Sequence, residues 1–533
     1  MSVTRRELVS GSAAAAATAL APARVRAQLV QDTLTLALAA RGNRTLDPAN
    51  SIQGSDNWSI SHIHDTLVAS PNGRFAARPQ DFVPQLAESW AMSPDAKTWT
   101  FQLRQNVEFH KGYGQCTSDD VVFSIKRAMD PRQAGDRSLF ANIADVAADG
   151  KYRAVITLRQ PDPLLLSGTI QNYACVIMSR RAVAEKGDGI QRDPIGTGPY
   201  QFVSLDPDPS KGVLMTANLG YFNGPPKIKN FRIRYILDTT ARTLALLSGD
   251  VHMIEGVRAP GWVPSMKQRK PGLLFDVAAP GSLFTMSFNL ARKPFDDIRV
   301  RQAFAYAIDR DAIAQATAPI SRRTYGLNPP GYPGGLTADM VPANLRYAFD
   351  PAKAKALLAA AGHAKGLKVE AFTSQREDYA SIMLIIQEQM RGVGVDIDLQ
   401  AVDHTMFHAN NRKDMNTLAQ NSSAYPPEPT LPLADNLAKT VEVKADGRGG
   451  INYSHYGTAI PGIDDLLDAA MAEPDFDRRI AVIRQAELKV LADLPVLPIA
   501  TNGYLIVRDP KVRLGYEVQS GYAYWRVDTA TFA

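Results

Sequence analysis

SPDAKTWTFQLRQNVEFHKG, residues 93–112, alternates apolar and polar residues with a period of two: Trp99, Phe101 and Leu103 are separated by Thr100 and Gln102. That period belongs to a strand with one face in a core. Asp95 and Ala96 read as the turn before it, and Phe109 as the start of the next packing element. Working outward, the same alternation marks Leu34, Leu36 and Leu38, then Phe231, Ile233, Tyr235 and Leu237. Helical segments lie between. Asp238 caps TARTLALLSG, which Gly249 ends, and Asp297 precedes IRVRQAFAYAI, where Val300, Phe304 and Ile308 recur every four residues. Asp350 and Pro351 open PAKAKALLAAAG, closed by Gly362, and DYASIMLIIQEQMRG runs helically into the strand VDIDLQAV. The fold class is α/β, without internal repeats.

The chain has 533 residues, 45% hydrophobic and 21% charged, which suits a globular protein of roughly three domains. Of the formal charge of +5, the first 27 residues supply +3 through Arg5, Arg6, Arg24, Arg26 and Glu7. The remaining +2 gives no electrostatic case for nucleic acid.

Those 27 residues read as an export signal: a basic start, the run LVSGSAAAAATALA, then small residues. Thr4-Arg5-Arg6-Glu7-Leu8-Val9 has the form of a twin-arginine motif, and the modest hydrophobicity of the alanine run suits that route. Cleavage is expected after Ala27, with Ala23 as the second choice. No cysteine lies near either site, so a lipid anchor is not expected and the mature chain is placed in the periplasm. That compartment permits Cys116 and Cys175 to pair, but spacing alone leaves the alternative of two buried thiols open.

Catalytic motifs are missing: there is no GxSxG, HExxH, GxxxxGK[ST] or GxGxxG. His404 and His408 in HTMFH have i, i+4 spacing, and His62 and His64 share a strand-like face, but no acidic partner accompanies the first pair. GTGPY at 196–200 reads as a rigid turn, with anion binding by its N–H groups as the alternative.

Several segments together carry a family resemblance. FVPQLAESWAMSPDAKTWTFQLRQNVEFHKG (82–112), TSDDVVFSIKRAMDP (117–131), PIGTGPYQF (194–202), FNLARKPFDDIRVRQAFAYAIDRDAI (288–313) and QEQMRGVGVDIDL (387–399) resemble, in this order, the solute-binding proteins of family 5. That family serves ATP-driven importers of dipeptides, oligopeptides, nickel and related solutes. The resemblance implies a type II periplasmic binding protein: two α/β lobes joined by a two-crossing hinge, with an extra subdomain in the first. Lobe I is expected at 28–57, 196–282 and 500–533, the extra subdomain at 58–195 and lobe II at 283–499. It further implies a small-molecule or peptide-like ligand, permease subunits of an ABC transporter as partners, a monomer, no cofactor and no enzymatic activity. The competing reading is a metal carrier or metal-dependent hydrolase using His404 and His408.

The same resemblance points to three ligand-binding stretches. One is the loop SIQGSDNW at 51–58, with Ser55, Asp56, Asn57 and Trp58. Another is Arg376 in TSQREDY, for a ligand carboxylate. The third is NSSAYPPEP at 421–429, with Asn421, Ser422, Ser423 and Tyr425. Dipeptide carriers have there an aspartate that receives the peptide amine; here the only acid is Glu428 between prolines. A buried ammonium needs a charged acceptor, since such a bond is worth about 1.5–3 kcal/mol and an unpaired buried charge costs more. The stretch therefore suits a neutral or modified polar ligand: a blocked peptide, a sugar-like compound or another amphiphilic metabolite.

Overall fold

Thr98–Leu103 is a strand in the computed structural model, with Trp99, Phe101 and Leu103 buried and the residues between them partly exposed. The structure describes residues 32–51, 54–76, 78–133, 137–425, 427–520 and 525–533; the expected export signal lies outside them. The strand sits between Ala87–Met92 and Arg153–Leu158, with Ile143–Ala148 beyond, in an antiparallel four-stranded sheet. Helix Ser118–Met129 covers this sheet, and Thr117 and Asp120 cap it reciprocally. Their common core contains Cys116 and Cys175 as free thiols. Burial pushes both up, Cys175 to about 12, so they act as small apolar side chains.

A second sheet has eight strands, in the order Leu418–Ala424, Leu274–Phe288, Val496–Arg508, Met253–Glu255, Thr33–Leu38, Asn230–Tyr235, Val213–Ala217 and Tyr200–Leu205. The alternation at 34–38 gives two distinct faces, and both are covered. Leu34, Leu36 and Leu38 pack with Trp58 and Ile63, whereas Ala37 packs with Leu246 and Met266. A strand in mid-sheet between helices has no wet side.

The strands Leu274–Phe288 and Val496–Arg508 run antiparallel from one lobe into the other. Arg508 pairs with Met253 at one end, and Ser282–Phe288 pairs with Leu418–Ala424 at the other. Midway the register shifts at Ala278, Gly281 and Ser282, opposite Asn502. Gly281 has φ 68°, and a Cβ there would lie 2.3 Å from the Asn502 carbonyl oxygen. Broken ladder bonds concentrate bending, and we propose this bulge as the hinge.

The boundary expected at 58 falls inside helix Gly54–Ile63, whose Trp58 and Ile63 belong to the first lobe's core. We therefore place the start of the extra subdomain after this helix, where its core begins with Leu67. In lobe II, Phe288, Phe295 and Phe304 meet with ring centroids 5.0–5.6 Å apart. Helix Glu377–Arg391 joins the parallel strands Leu367–Ser374 and Val395–Val402 there. Among the described residues, no helix is long and apolar enough to cross a membrane.

Candidate functional site

The stretch at 421–429 begins as strand rather than loop. Leu418–Ala424 is an edge strand paired with Leu274–Phe288, and its period of two separates the named residues. Asn421 and Ser423 bond one another at 3.3 Å, and Asn421 reaches Asn436 at 3.4 Å. Ser422 instead meets Ser282 at 3.1 Å, and its carbonyl accepts from the Tyr379 hydroxyl at 3.3 Å. Tyr425 is held twice: its hydroxyl accepts from Asn436 Nδ2 at 2.9 Å, and its carbonyl from the Tyr332 hydroxyl at 2.8 Å. Glu428 accepts from the Thr430 and Leu431 amides at 3.0 and 2.7 Å, capping helix Thr430–Leu437. The only acid of the stretch is thus spent on a helix N-terminus.

From Gly54 onward the expected loop at 51–58 is helix, while Ile52 and Gln53 lie outside the described residues. Asp56, Asn57 and Trp58 are buried in lobe I; Ser55 is half-exposed. Asp56 accepts from the Arg44 amide at 2.9 Å, and burial pushes its carboxyl up to about 6. Asn57 accepts from the Ser51 hydroxyl at 2.9 Å. Trp58 stacks on His62, meets Trp525 edge-on with centroids 5.6 Å apart, and donates to the Tyr504 hydroxyl at 3.2 Å. Of the three, Trp58 packs behind Trp525, which lines the cavity described below.

Arg376 precedes helix Glu377–Arg391 and donates to both oxygens of Asp378 at 3.0 and 2.9 Å. Asp378 also faces Arg258 of the first lobe at 3.7 Å, and the Arg258 guanidinium lies 5.9 Å from the Tyr504 ring centroid. Sequence reasoning did not find Arg258. His404 and His408 are close, with centroids 4.6 Å apart, in a cluster with Tyr379 and Phe407; Ser374 Oγ lies 2.9 Å from His404 Nδ1. Burial lowers both histidines, His408 to about 4. Among the described residues, no group of three His, Cys, Asp or Glu is arranged to hold a metal ion.

Further along the seam, Arg78 pairs with Asp477 at 2.7 Å and lies over Phe476. Phe75 meets Tyr332 edge-on at 5.0 Å. Arg479 of lobe II enters the extra subdomain, donating to Asp162 Oδ1 at 3.2 Å and the Pro161 carbonyl at 2.7 Å. Beside these contacts is a cavity of about 520 Å³, lined by Phe75, Tyr173, Tyr221, Trp525 and Arg526 from the first lobe and its subdomain. Pro427, from the 421–429 stretch, lines its lobe II side. Arg526 is fixed by Asp65 at 2.7 Å and by the Tyr221 hydroxyl at 2.8 Å, so it holds the wall.

Two lobes, a hinge of two strands and a seam of paired charges beside a cavity define a hinged binding protein. The chain matches the family model of bacterial extracellular solute-binding proteins, family 5 (middle), over residues 81–440, and it belongs to that family. It is 28% identical to the dipeptide-binding protein of Escherichia coli K12 over 451 residues, 79% of this chain and 81% of that protein. It is 26% identical to heme-binding protein A of Haemophilus influenzae over 506 residues, 90% and 88% of the two chains. Among solved structures, MoaA of A. tumefaciens R10 in complex with mannopinic acid superposes with a TM-score of 0.78 at 30% identity, covering 94% of this chain and 99% of that one. DppA of Helicobacter pylori with the peptide STSA has a TM-score of 0.74 at 23% identity over 95% and 99%, a likeness of fold.

Proposed function

We propose that this solute-binding protein works in the periplasm as the binding component of an ABC importer: a monomer that encloses a polar solute between its lobes and presents the closed form to a membrane permease. The observation that carries this reading is the seam, where Arg258, Arg78 and Arg479 meet partners on the opposite lobe across one hinge bulge. A ligand touching both walls shifts the equilibrium toward closure by its greater affinity for that form. With Glu428 used as a helix cap, the 421–429 stretch offers no free acid for a peptide amine, which supports a modified or otherwise polar solute over a free dipeptide. Mannopinic acid, held by the structure at 30% identity, is the first compound to test. Small-angle scattering should show a smaller radius of gyration on saturation; an unchanged radius with binding confirmed by calorimetry would refute the hinge mechanism.

Export by the twin-arginine route is part of the proposal and rests on Thr4–Val9. Arg5→Lys with Arg6→Lys should leave precursor in the cytoplasm. Undiminished periplasmic protein from that variant would exclude the route.

A further inference from the structure

His455 lies between two carboxylates of lobe II. Its Nε2 is 3.2 Å from Asp414 Oδ1, and its Nδ1 is 3.4 Å from Glu442 Oε2. A neutral imidazole carries one N–H and one lone pair, so it can donate to only one of these oxygens and must turn its lone pair toward the other. The imidazolium donates to both, so the geometry itself selects the charged ring. The ring and both carboxylates are only 16–18% exposed. Asp414 and His455 each hold φ 56°, a left-handed conformation uncommon outside glycine, which fixes both on tight turns.

The two acids differ in what else holds them. Asp414 Oδ1 also accepts from Asn289 Nδ2 at 2.8 Å, and its Oδ2 from Arg292 at 2.8 Å. Glu442 Oε1 has no hydrogen-bond partner, and His455 is the only cation that Glu442 meets among the described residues. Of the other charges on these turns, Lys413 lies against Gly447, Lys444 is exposed, and Asp446 bonds Arg448 at 3.0 Å. Loss of the ring proton therefore strands Glu442 rather than Asp414. Glu442 opens a segment that folds back at Asn452: its carbonyl accepts from the Gly450 amide, and the Val443 amide donates to the Asn452 carbonyl, both at 3.3 Å. Asn452 Nδ2 secures the base through the Leu437, Ala438 and Tyr456 carbonyls. Beyond the base, Val443 and Tyr453 pack on Ala419 of the edge strand Leu418–Ala424, a core of three buried residues, so the charge pair carries much of the hold. We propose that His455 is a pH-sensitive latch, whose imidazolium fastens residues 442–451 to Asp414 beside the edge strand and whose deprotonation in alkaline medium frees them. The bond to Asp414 is the main influence raising the ring above the ordinary 6.5, against the lowering effect of burial. The folded state then holds the proton more tightly than the unfolded chain, so the latch is complete below pH 6.5 and is lost as the pH rises through the raised value.

The test reads the ring and the segment separately on the full mature protein. Exchange of the histidine C2 hydrogen, followed by mass spectrometry across pH, should show His455 titrating above 6.5. Amide exchange in the peptide over 442–452, corrected for the intrinsic rate, should show protection falling roughly fivefold or more between pH 6 and pH 9. His455→Gln should already be less protected at pH 6 and change by less than about twofold over that range. Glu442→Gln, which leaves the Asp414–Arg292 pair in place, should bring the His455 titration down toward 6.5. A ring that titrates at or below 6.5, wild-type protection that ignores pH, or His455→Gln with wild-type protection at pH 6 would each overturn the latch. Should His455→Gln fail to fold, the two wild-type measurements and Glu442→Gln decide the matter alone.

Discussion

Glu487→Ala is expected to lower the unfolding free energy by about 3–5 kcal/mol, because it strands buried donors and leaves a cavity. Glu487 lies on helix Phe476–Asp493 in the interior of lobe II and is fully buried. Its Oε1 accepts from the Asn328 amide at 2.7 Å and from Asn328 Nδ2 at 2.9 Å, and its Oε2 from the Leu327 amide at 2.9 Å. Asn328 Nδ2 also donates to the Pro429 carbonyl at 3.0 Å, so this carboxyl anchors the end of the 421–429 stretch. Urea unfolding followed by far-UV dichroism reads the effect; a loss under 1 kcal/mol would mean that the loop repairs itself.

The same carboxyl gives the expectation a pH dependence. Burial raises it from 4.5 to about 7, against the lowering effect of its hydrogen bonds. The folded state then holds the proton more tightly than the unfolded chain, so the contribution is complete below pH 4.5 and is lost as pH rises through 7, about 3 kcal/mol in all. The stability gap between wild type and Glu487→Ala should therefore narrow from pH 4.5 to 7. A constant gap would show that the carboxyl titrates normally.

Local signals in the sequence were readable because their physics is local. Asp238, Asp297 and Asp350 each accept a backbone amide at the helix start they were chosen for, and Gly249 ends its helix at φ 78°. Trp99, Phe101 and Leu103 identified a half-buried strand by period alone. The candidate site was less legible. Asp56 and Trp58 looked like loop residues, yet both lie in helix Gly54–Ile63, and Trp58 packs in the first lobe's core. Asn421, Ser422 and Ser423 looked like one polar group until strand pairing sent Ser422 to the opposite face. Glu428 did carry a signal: an acid just before TLPLADNL reads as a helix cap before it reads as a ligand contact. Arg258 carried none, since its meaning lies in Asp378, 120 positions away on the other lobe.

Arg479→Ala should weaken solute retention by about 30- to 100-fold, on the order of 2–3 kcal/mol, the part of a buried pair's loss that falls on the closed form. The side chain is 4% exposed. Its bonds to the Glu473 and Met471 carbonyls stay within lobe II, whereas those to Asp162 and Pro161 cross the seam and exist only while the lobes touch. Removing the guanidinium leaves the half-buried Asp162 without its cation. Glu428 is close enough to make this worse: burial raises its pKa, and the Asp162 charge pushes it further up. Closure then brings two carboxyls together with nothing between them, so the unliganded variant should show a larger radius of gyration than wild type at pH 7. Lowering the pH protonates them and removes the repulsion, so the difference should shrink as the pH falls. Asp162→Asn added to Arg479→Ala should recover part of the loss at neutral pH, a coupling that a double-mutant cycle measures. A variant with wild-type radius and retention at pH 7 would place closure elsewhere on the seam, and a defect unaltered by acidification would exclude the carboxyl pair as its cause.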